Sequence, residues 1–208
     1  MKVKVLNTSG VETGKEVTLP KEIFGVEPND HAIYLDVKQH LANKRSGTHS
    51  STEKGDVTGS TRKIKKQKGT GTARAGSIKS GVFVGGGRMH GPKPRDYSFK
   101  LNKKLKQVAR VSALSYKASE KEVIVLDDIT FDSPKTKSYL EVLSSLKLDG
   151  KKTLLLTPDH NSNVYLSSRN ILNAEVMNVS DVNTYNILNA NNLILVGGSI
   201  DKLKETLN

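Results

Sequence analysis

The chain is predicted to fold as an α/β protein: a mainly parallel sheet covered by helices, with a long extended basic loop inserted near the N-terminal third. Three observations carry that prediction. From residue 120 onward, short apolar runs alternate with stretches of helical periodicity, the pattern of βαβ units whose strands are buried on both faces. Residues 44–106 hold 17 Lys and Arg but only three acids (Glu53, Asp56, Asp96), leaving 16 basic and 18 acidic residues elsewhere out of 33 and 21. The same stretch contains 11 of the 17 glycines and few large apolar residues before Val82-Phe83-Val84. It cannot bury enough apolar surface to offset its ordering entropy. The net charge of +12 is therefore local to one segment of an otherwise near-neutral chain.

Each element follows from its own pattern. Val3 and Val5 predict a short edge strand, paired with residues 16–19. Asn29-Asp30 caps a helix whose face is Ile33, Tyr34, Val37 and Leu41, and that helix runs out at Lys44-Arg45-Ser46-Gly47. Order resumes near Lys100 with a helix carrying Leu105, Val108, Ser112 and Ser115/Tyr116 at three- and four-residue steps; Lys103, Lys104, Lys106 and Arg110 crowd its opening turns. Val123-Ile124-Val125-Leu126 is a buried strand. Ser133-Pro134 opens a helix presenting Leu140, Leu143 and Leu146, and Asp149-Gly150 stops it. Leu154-Leu155-Leu156 is a strand, 164–172 a helix, 175–179 a weaker strand and 182–188 a short helix; Leu193 to Val196 is the last strand and Ile200 to Leu207 the last helix. The expected domains are a globular α/β body (1–45 and 100–208) and a Gly/Lys/Arg-rich arm (46–99). Run out and back as a hairpin, such an arm reaches at most roughly 90 Å.

A basic arm on a near-neutral body is a nucleic-acid footprint. Lys and Arg neutralise phosphates and release counterions, while interleaved glycines let backbone approach backbone. The residues assigned to RNA contact are Lys44 and Arg45, then Arg62, Lys63, Lys65, Lys66, Gln67, Lys68, Gly69, Thr70, Gly71, Arg74, Ser77 and Lys79 in the richest run. Arg88, His90, Lys93 and Arg95 follow on the return, and Lys100, Lys103 and Lys104 at the mouth of the next helix. Residues 80–95 combine a small apolar knot with a glycine run and flanking cations. Only Phe83, Tyr97 and Phe99 supply aromatic rings in the arm, so phosphate, 2′-hydroxyl and shape recognition of folded RNA should outweigh base stacking.

Other chemistries find little support. Gly69-Thr70-Gly71 has Arg74 where a dinucleotide fingerprint needs glycine, and no G-x-x-x-x-G-K-[ST] occurs. Gly197-Gly198-Ser199 is explained by a tight strand-to-helix turn, and Asp127-Asp128 by an acidic strand end rather than a magnesium site. His31, His40, His49, His90 and His160 lie far apart without metal-ligand spacing, and cysteine is absent. No nucleophile, base and orienter set stands out, so no catalytic residue, metal or cofactor is expected. The start of the chain lacks the apolar region of a signal peptide, and the longest apolar runs are too short to cross a bilayer.

Gln67-Lys68-Gly69-Thr70-Gly71-x-Ala73-Arg74-x-Gly76-Ser77 resembles the bacterial form of the universal "L four" family of large-subunit ribosomal proteins. The resemblance extends to Asp56-Val57-Thr58-Gly59-Ser60, to Pro92-Lys93-Pro94-Arg95-Asp96-Tyr97 with Leu101-Asn102-Lys103-Lys104, and to Pro134-Lys135-Thr136-Lys137, Arg169-Asn170 and Asn186-Ile187-Leu188-Asn189-Ala190. It implies a structural constituent of the cytoplasmic ribosome that binds large-subunit rRNA and aids assembly. It also implies an arm whose tip (Lys63, Ile64, Lys65, Lys66, Gln67, Lys68, Gly69) lines the polypeptide exit tunnel. The implied partners are rRNA, neighbouring large-subunit ribosomal proteins at the tunnel and the nascent polypeptide, with no membrane and no homo-oligomer. Where relatives commonly read Lys-Pro-Trp-Arg-Gln-Lys, this chain has Lys63-Ile64-Lys65-Lys66-Gln67-Lys68, so a cation replaces a stacking indole; Thr72 stands where Arg is common. Two alternatives stay open: a free regulatory RNA-binder that represses its own mRNA, and a nucleotide-using α/β enzyme with a basic insert.

With its cations repelling one another and few apolar anchors, the stretch from about 46 to 99 should be mobile without RNA. Limited trypsin digestion of RNA-free protein is expected to clip it and leave a resistant body; equal resistance of both parts would contradict this.

Overall fold

Strands β1 (Lys2–Leu6) and β2 (Glu12–Thr18) pair antiparallel, with Val3 opposite Val17. They begin a six-stranded sheet of order β2-β1-β3-β6-β4-β5 in the computed structural model, which describes residues 1–207. The remaining strands are β3 (Val123–Leu126), β4 (Thr153–Thr157), β5 (Ala174–Asn178) and β6 (Asn192–Val196), and all of their pairings are parallel. The helices are α1 (Lys21–Phe24), α2 (Asp30–Asn43), α3 (Lys103–Ser119), α4 (Thr136–Ser145), α5 (Ser162–Ser168), α6 (Thr184–Asn189) and α7 (Ser199–Leu207).

The two central strands set the layers. Pleating sends alternate side chains to opposite faces. Leu154 and Leu156 of β4, with Leu193 and Leu195 of β6, pack with Leu114 of α3, Ile187 of α6 and Leu203 of α7. Leu155, Ile194 and Val196 point the other way, into a second cluster with Tyr139 and Leu143 of α4 and Val164 of α5. A strand buried on both faces has no solvated side to fill with polar residues, so its sequence reads as an unbroken apolar run.

Several elements depart from the sequence expectation. β1 is not an edge: its far side pairs with β3, Val5 aligning with Val125. β2 takes the edge, and it carries Glu12, Lys15 and Glu16, charges that discourage further strand addition. In α2, Asn29 caps as expected, its Oδ1 accepting from the Ala32 N–H at 3.0 Å. The buried face, however, is Ala32, Asp36 and Gln39, and Tyr34 remains 57% exposed. Polar pairing anchors this helix: the Thr184 hydroxyl donates to the Asp36 carboxylate at 2.5 Å. α3 buries Ser112 and Ser115 as expected, but adds Ala109 and Ala113 and leaves Val108 45% exposed. α4 begins at Thr136 rather than at Ser133-Pro134, and buries Tyr139 where Leu140 was expected. α5 stops at Ser168, well before Leu172, which is 90% exposed. β5 is shifted one residue earlier than expected, and the short helix expected over 182–188 is α6 at Thr184–Asn189, preceded by a 3-10 turn at Val179–Asp181. The four-residue α1 carried no sequence signal.

The chain divides into two units, Met1–Leu41 with Lys100–Asn208, and Ala42–Phe99. After the end of α2 at Asn43, the second unit contains neither helix nor strand.

Leu154 is fully buried between layers, so Leu154→Ala is expected to cost about 2–5 kcal/mol of stability in a denaturant titration. Leu172→Ala should stay within about 0.5 kcal/mol, because its side chain packs against nothing that folding buries. A large loss for Leu172→Ala would restore the longer helix.

Candidate nucleic-acid interface

Within residues 42–99 the chain doubles back on itself through a sparse series of hydrogen bonds. The Phe99 N–H donates to Asn43 Oδ1 at 3.2 Å, and the Arg95 N–H to the Gly47 carbonyl at 3.2 Å. Further along, Ser51 N–H meets Pro92 O at 3.1 Å and Arg88 N–H meets Thr52 O at 2.9 Å. Ser77 Oγ donates to Ser60 O at 2.9 Å, and Ile64 N–H to Gly76 O at 3.0 Å. Reversal therefore falls between Lys65 and Ala75. There Lys65 Nζ donates to Thr72 Oγ1 at 2.7 Å and Lys63 Nζ to Gln67 Oε1 at 2.5 Å. Thr72, which leaves one cation fewer, thus serves as an acceptor for its neighbour across the turn.

Residues 79–87 form a side loop of successive turns, closed by Gly87 N–H to Lys79 O at 2.9 Å. Its glycines are required by proximity: a Cβ on Gly86 would stand 1.9 Å from Ser80 O, and one on Gly87 2.3 Å from Lys54 N. The expected apolar knot does not form. Val84 is fully exposed, Val82 is nearly so, and only Phe83 is partly covered. With three apolar residues on a loop this tight, backbone turns dictate side-chain direction.

Every cation from Arg62 to Arg74 is exposed, as are Arg45, Arg88, Lys93, Arg95, Lys100, Lys103 and Lys104. Lys93 pairs with Glu53 at 2.7 Å, and this carboxylate holds the Lys93 ammonium above its ordinary pKa. Arg45, Arg62, Lys66, Lys68, Arg74, Arg88 and Arg95 have no acidic partner among the described residues. Ser77 and Lys79 are half-buried; Ser77 is occupied internally, its Oγ also accepting from Lys79 N–H at 3.2 Å. Gln67 is held by Lys63, and Gly69 and Gly71 adopt positive φ of 81° and 62° at the turn. Thr70 and His90 are exposed. Asp96 is turned into its own loop, accepting Ser98 N–H at 2.8 Å and Ser98 Oγ at 2.6 Å. The Ser98 hydroxyl, then the backbone amides, hold its carboxyl below the usual carboxylate range.

One constellation had no sequence signal. Tyr97 gathers its near neighbour Arg95 with Arg45 and His49 from the opposite end of the segment, His49 lying 48 residues away. Charge composition singled out the two arginines as separate phosphate contacts; nothing in the spacing shows that they share a ring.

The α/β body offers a crevice of about 350 Å³ at the carboxyl ends of β3, β4 and β6, lined by Asp128, Thr157, Asp159, His160 and Asn163 among others. Its two acids and Asn163 are committed elsewhere. Asp159 pairs with Lys202 at 2.6 Å, Asp128 Oδ1 accepts Ile129 N–H at 2.7 Å, and Asn163 donates to Phe131 O at 2.7 Å. Asp127 pairs with Lys15 at 3.1 Å, and a Cβ on Gly197 would fall 2.2 Å from the Asp127 carbonyl. The Gly197-Gly198 turn is thus set by packing between strand ends, with Gly198 at φ 81°.

A family model described as the ribosomal protein L4/L1 family matches residues 17–206. The chain is 55% identical over 207 residues to the large ribosomal subunit protein uL4 of Christiangramia forsetii, covering 100% of both chains. It is 57% identical to uL4 of Flavobacterium psychrophilum, covering 100% of this chain and 99% of that protein, and 56% identical to uL4 of Phocaeicola vulgatus, covering 100% of both.

Proposed function

The chain belongs to the ribosomal protein L4/L1 family, a structural and non-enzymatic family, and we propose that it is an rRNA-binding constituent of the large subunit of a bacterial cytoplasmic ribosome. The observation that carries this reading is the set of exposed cations in residues 42–99 that have no acidic partner among the described residues. Like charges gathered on a segment without an apolar core are unfavourable until a polyanion neutralises them. In this reading residues 46–99 thread as an arm through folded rRNA, and the body stays outside. The turn at residues 63–69 lines the exit tunnel beside neighbouring ribosomal proteins and faces the nascent chain. Lys100, Lys103 and Lys104 hold phosphates where the arm returns. The sparse internal hydrogen bonding supports this division of labour: the segment has a preferred path but leaves its cations available.

If roughly six to ten phosphates are neutralised, affinity for large-subunit rRNA should fall about 10³- to 10⁵-fold between about 50 and 200 mM salt. Deleting residues 46–99 is expected to flatten that slope in a filter-binding titration. An unchanged slope would assign the electrostatic contribution to the body, through Lys103, Lys104 and Arg110.

Tip and stem should separate in cells. Lys65→Glu with Lys66→Glu is expected to permit incorporation into large subunits while altering sensitivity to tunnel-binding antibiotics, because charge reversal in a narrow phosphate-walled passage changes potential and loop position together. Lys103→Glu with Lys104→Glu should instead lower the amount of protein recovered in purified subunits. The reverse pattern would overturn the placement of the turn in the tunnel.

A further inference from the structure

We propose that Arg45, Arg95 and Tyr97, braced by His49, form a clamp for a single RNA phosphodiester where residues 42–99 begin and end. The geometry is specific. Arg45 Cζ lies 3.8 Å and Arg95 Cζ 4.5 Å from the centroid of the Tyr97 ring. Tyr97 OH is 3.0 Å from His49 Nε2, fixing the ring by its polar end. The ring is half-buried, whereas both arginines are exposed.

Stacking on an aromatic ring engages a guanidinium through its face and leaves its N–H donors, which lie in the plane, free to bind an anion. One tyrosine thus presents two donor forks at once. Two cations brought to the same ring repel each other, and no carboxylate offsets this: neither has an acidic partner among the described residues, and neighbouring Asp96 is engaged by Ser98. A phosphodiester has two non-bridging oxygens bearing one negative charge, the shape and charge that guanidinium donor forks accept. Backbone geometry makes the approach possible. Gly47 sits at φ 62°, and a Cβ there would stand 1.9 Å from the Arg95 carbonyl oxygen and 3.3 Å from Tyr97 Cδ2. Any side chain at 47 would collide with the Arg95 backbone and crowd the Tyr97 ring.

This clamp deepens the rRNA-binding reading and rests on it. Its test uses the full chain and large-subunit rRNA at fixed salt. Tyr97→Leu keeps every charge but removes the platform; Arg95→Lys keeps the charge but removes the fork. Each is expected to weaken binding roughly tenfold, the loss of one charged hydrogen-bonded contact, with the salt slope unchanged. The double variant should lose less than the product of the two, because both disturb one site. Tyr97→Phe, which keeps the ring, should fall between wild type and Tyr97→Leu. In the wild-type protein, the guanidinium NMR signals of Arg45 and Arg95 should shift together on titration with oligouridylate. Polyglutamate at equal charge should move them far less. Failure of the wild type to bind large-subunit rRNA would overturn the function itself. Binding by the wild type with undiminished affinity in Tyr97→Leu and Arg95→Lys would overturn the clamp alone, as would guanidinium signals that ignore oligouridylate or answer equally to polyglutamate.

Discussion

Burial of β4 and β6 on both faces is the constraint on which the body depends. Leu154, Leu155, Leu193, Ile194 and Leu195 are all within 1% of complete burial, and each neighbouring helix is amphipathic because one of its sides must cover them. Such a sheet tolerates no solvent-facing register. A one-residue slip would exchange the two layers and offer every helix the wrong partners. The resulting rigidity contrasts with residues 42–99, where no comparable burial exists and the path is held by isolated backbone and hydroxyl hydrogen bonds. One chain therefore uses two sources of order: apolar area in the body, and in the segment a sparse set of hydrogen-bonded turns whose cations await an opposite charge.

What the sequence discloses follows that difference. β3, β4, β6 and α7 were legible because continuous or periodic apolar residues have one arrangement that buries them. The orientation of α2 is not legible from hydropathy because its packing is polar. Asp36 and Thr184 bond across the interface while Tyr34 and Leu41 face outward, and hydropathy cannot report a hydrogen bond between residues so distant in sequence. Boundaries failed where local signals were ambiguous: Ser133-Pro134 resembles a helix start, yet Lys135 is still extended and α4 begins only at Thr136. β1 could not be told from an edge strand, because its parallel partner β3 lies more than a hundred residues away.

The candidate interface was legible in kind and not in arrangement. Composition alone marks residues 44–106 as cationic, glycine-rich and without a core. The position of the reversal could be approximated from the middle of the segment. The meeting of Arg45, His49, Arg95 and Tyr97 could not, because it depends on which carbonyl each amide finds on the return path. Val82 and Val84 taught the opposite lesson, since apolar residues in a short loop go where the backbone turns send them.

The bonds from Phe99 to Asn43 and from Arg95 to Gly47 also bear on how the chain acquires its fold. They join the two ends of the insertion, so that everything between them is a closed loop. The entropy of closing such a loop grows only logarithmically with its length, and doubling it would cost just about 0.6 kcal/mol. Folding of the sheet is therefore nearly indifferent to how many residues the loop contains. Its length is a free variable, adjustable to the depth of whatever it must reach without changing the protein that carries it.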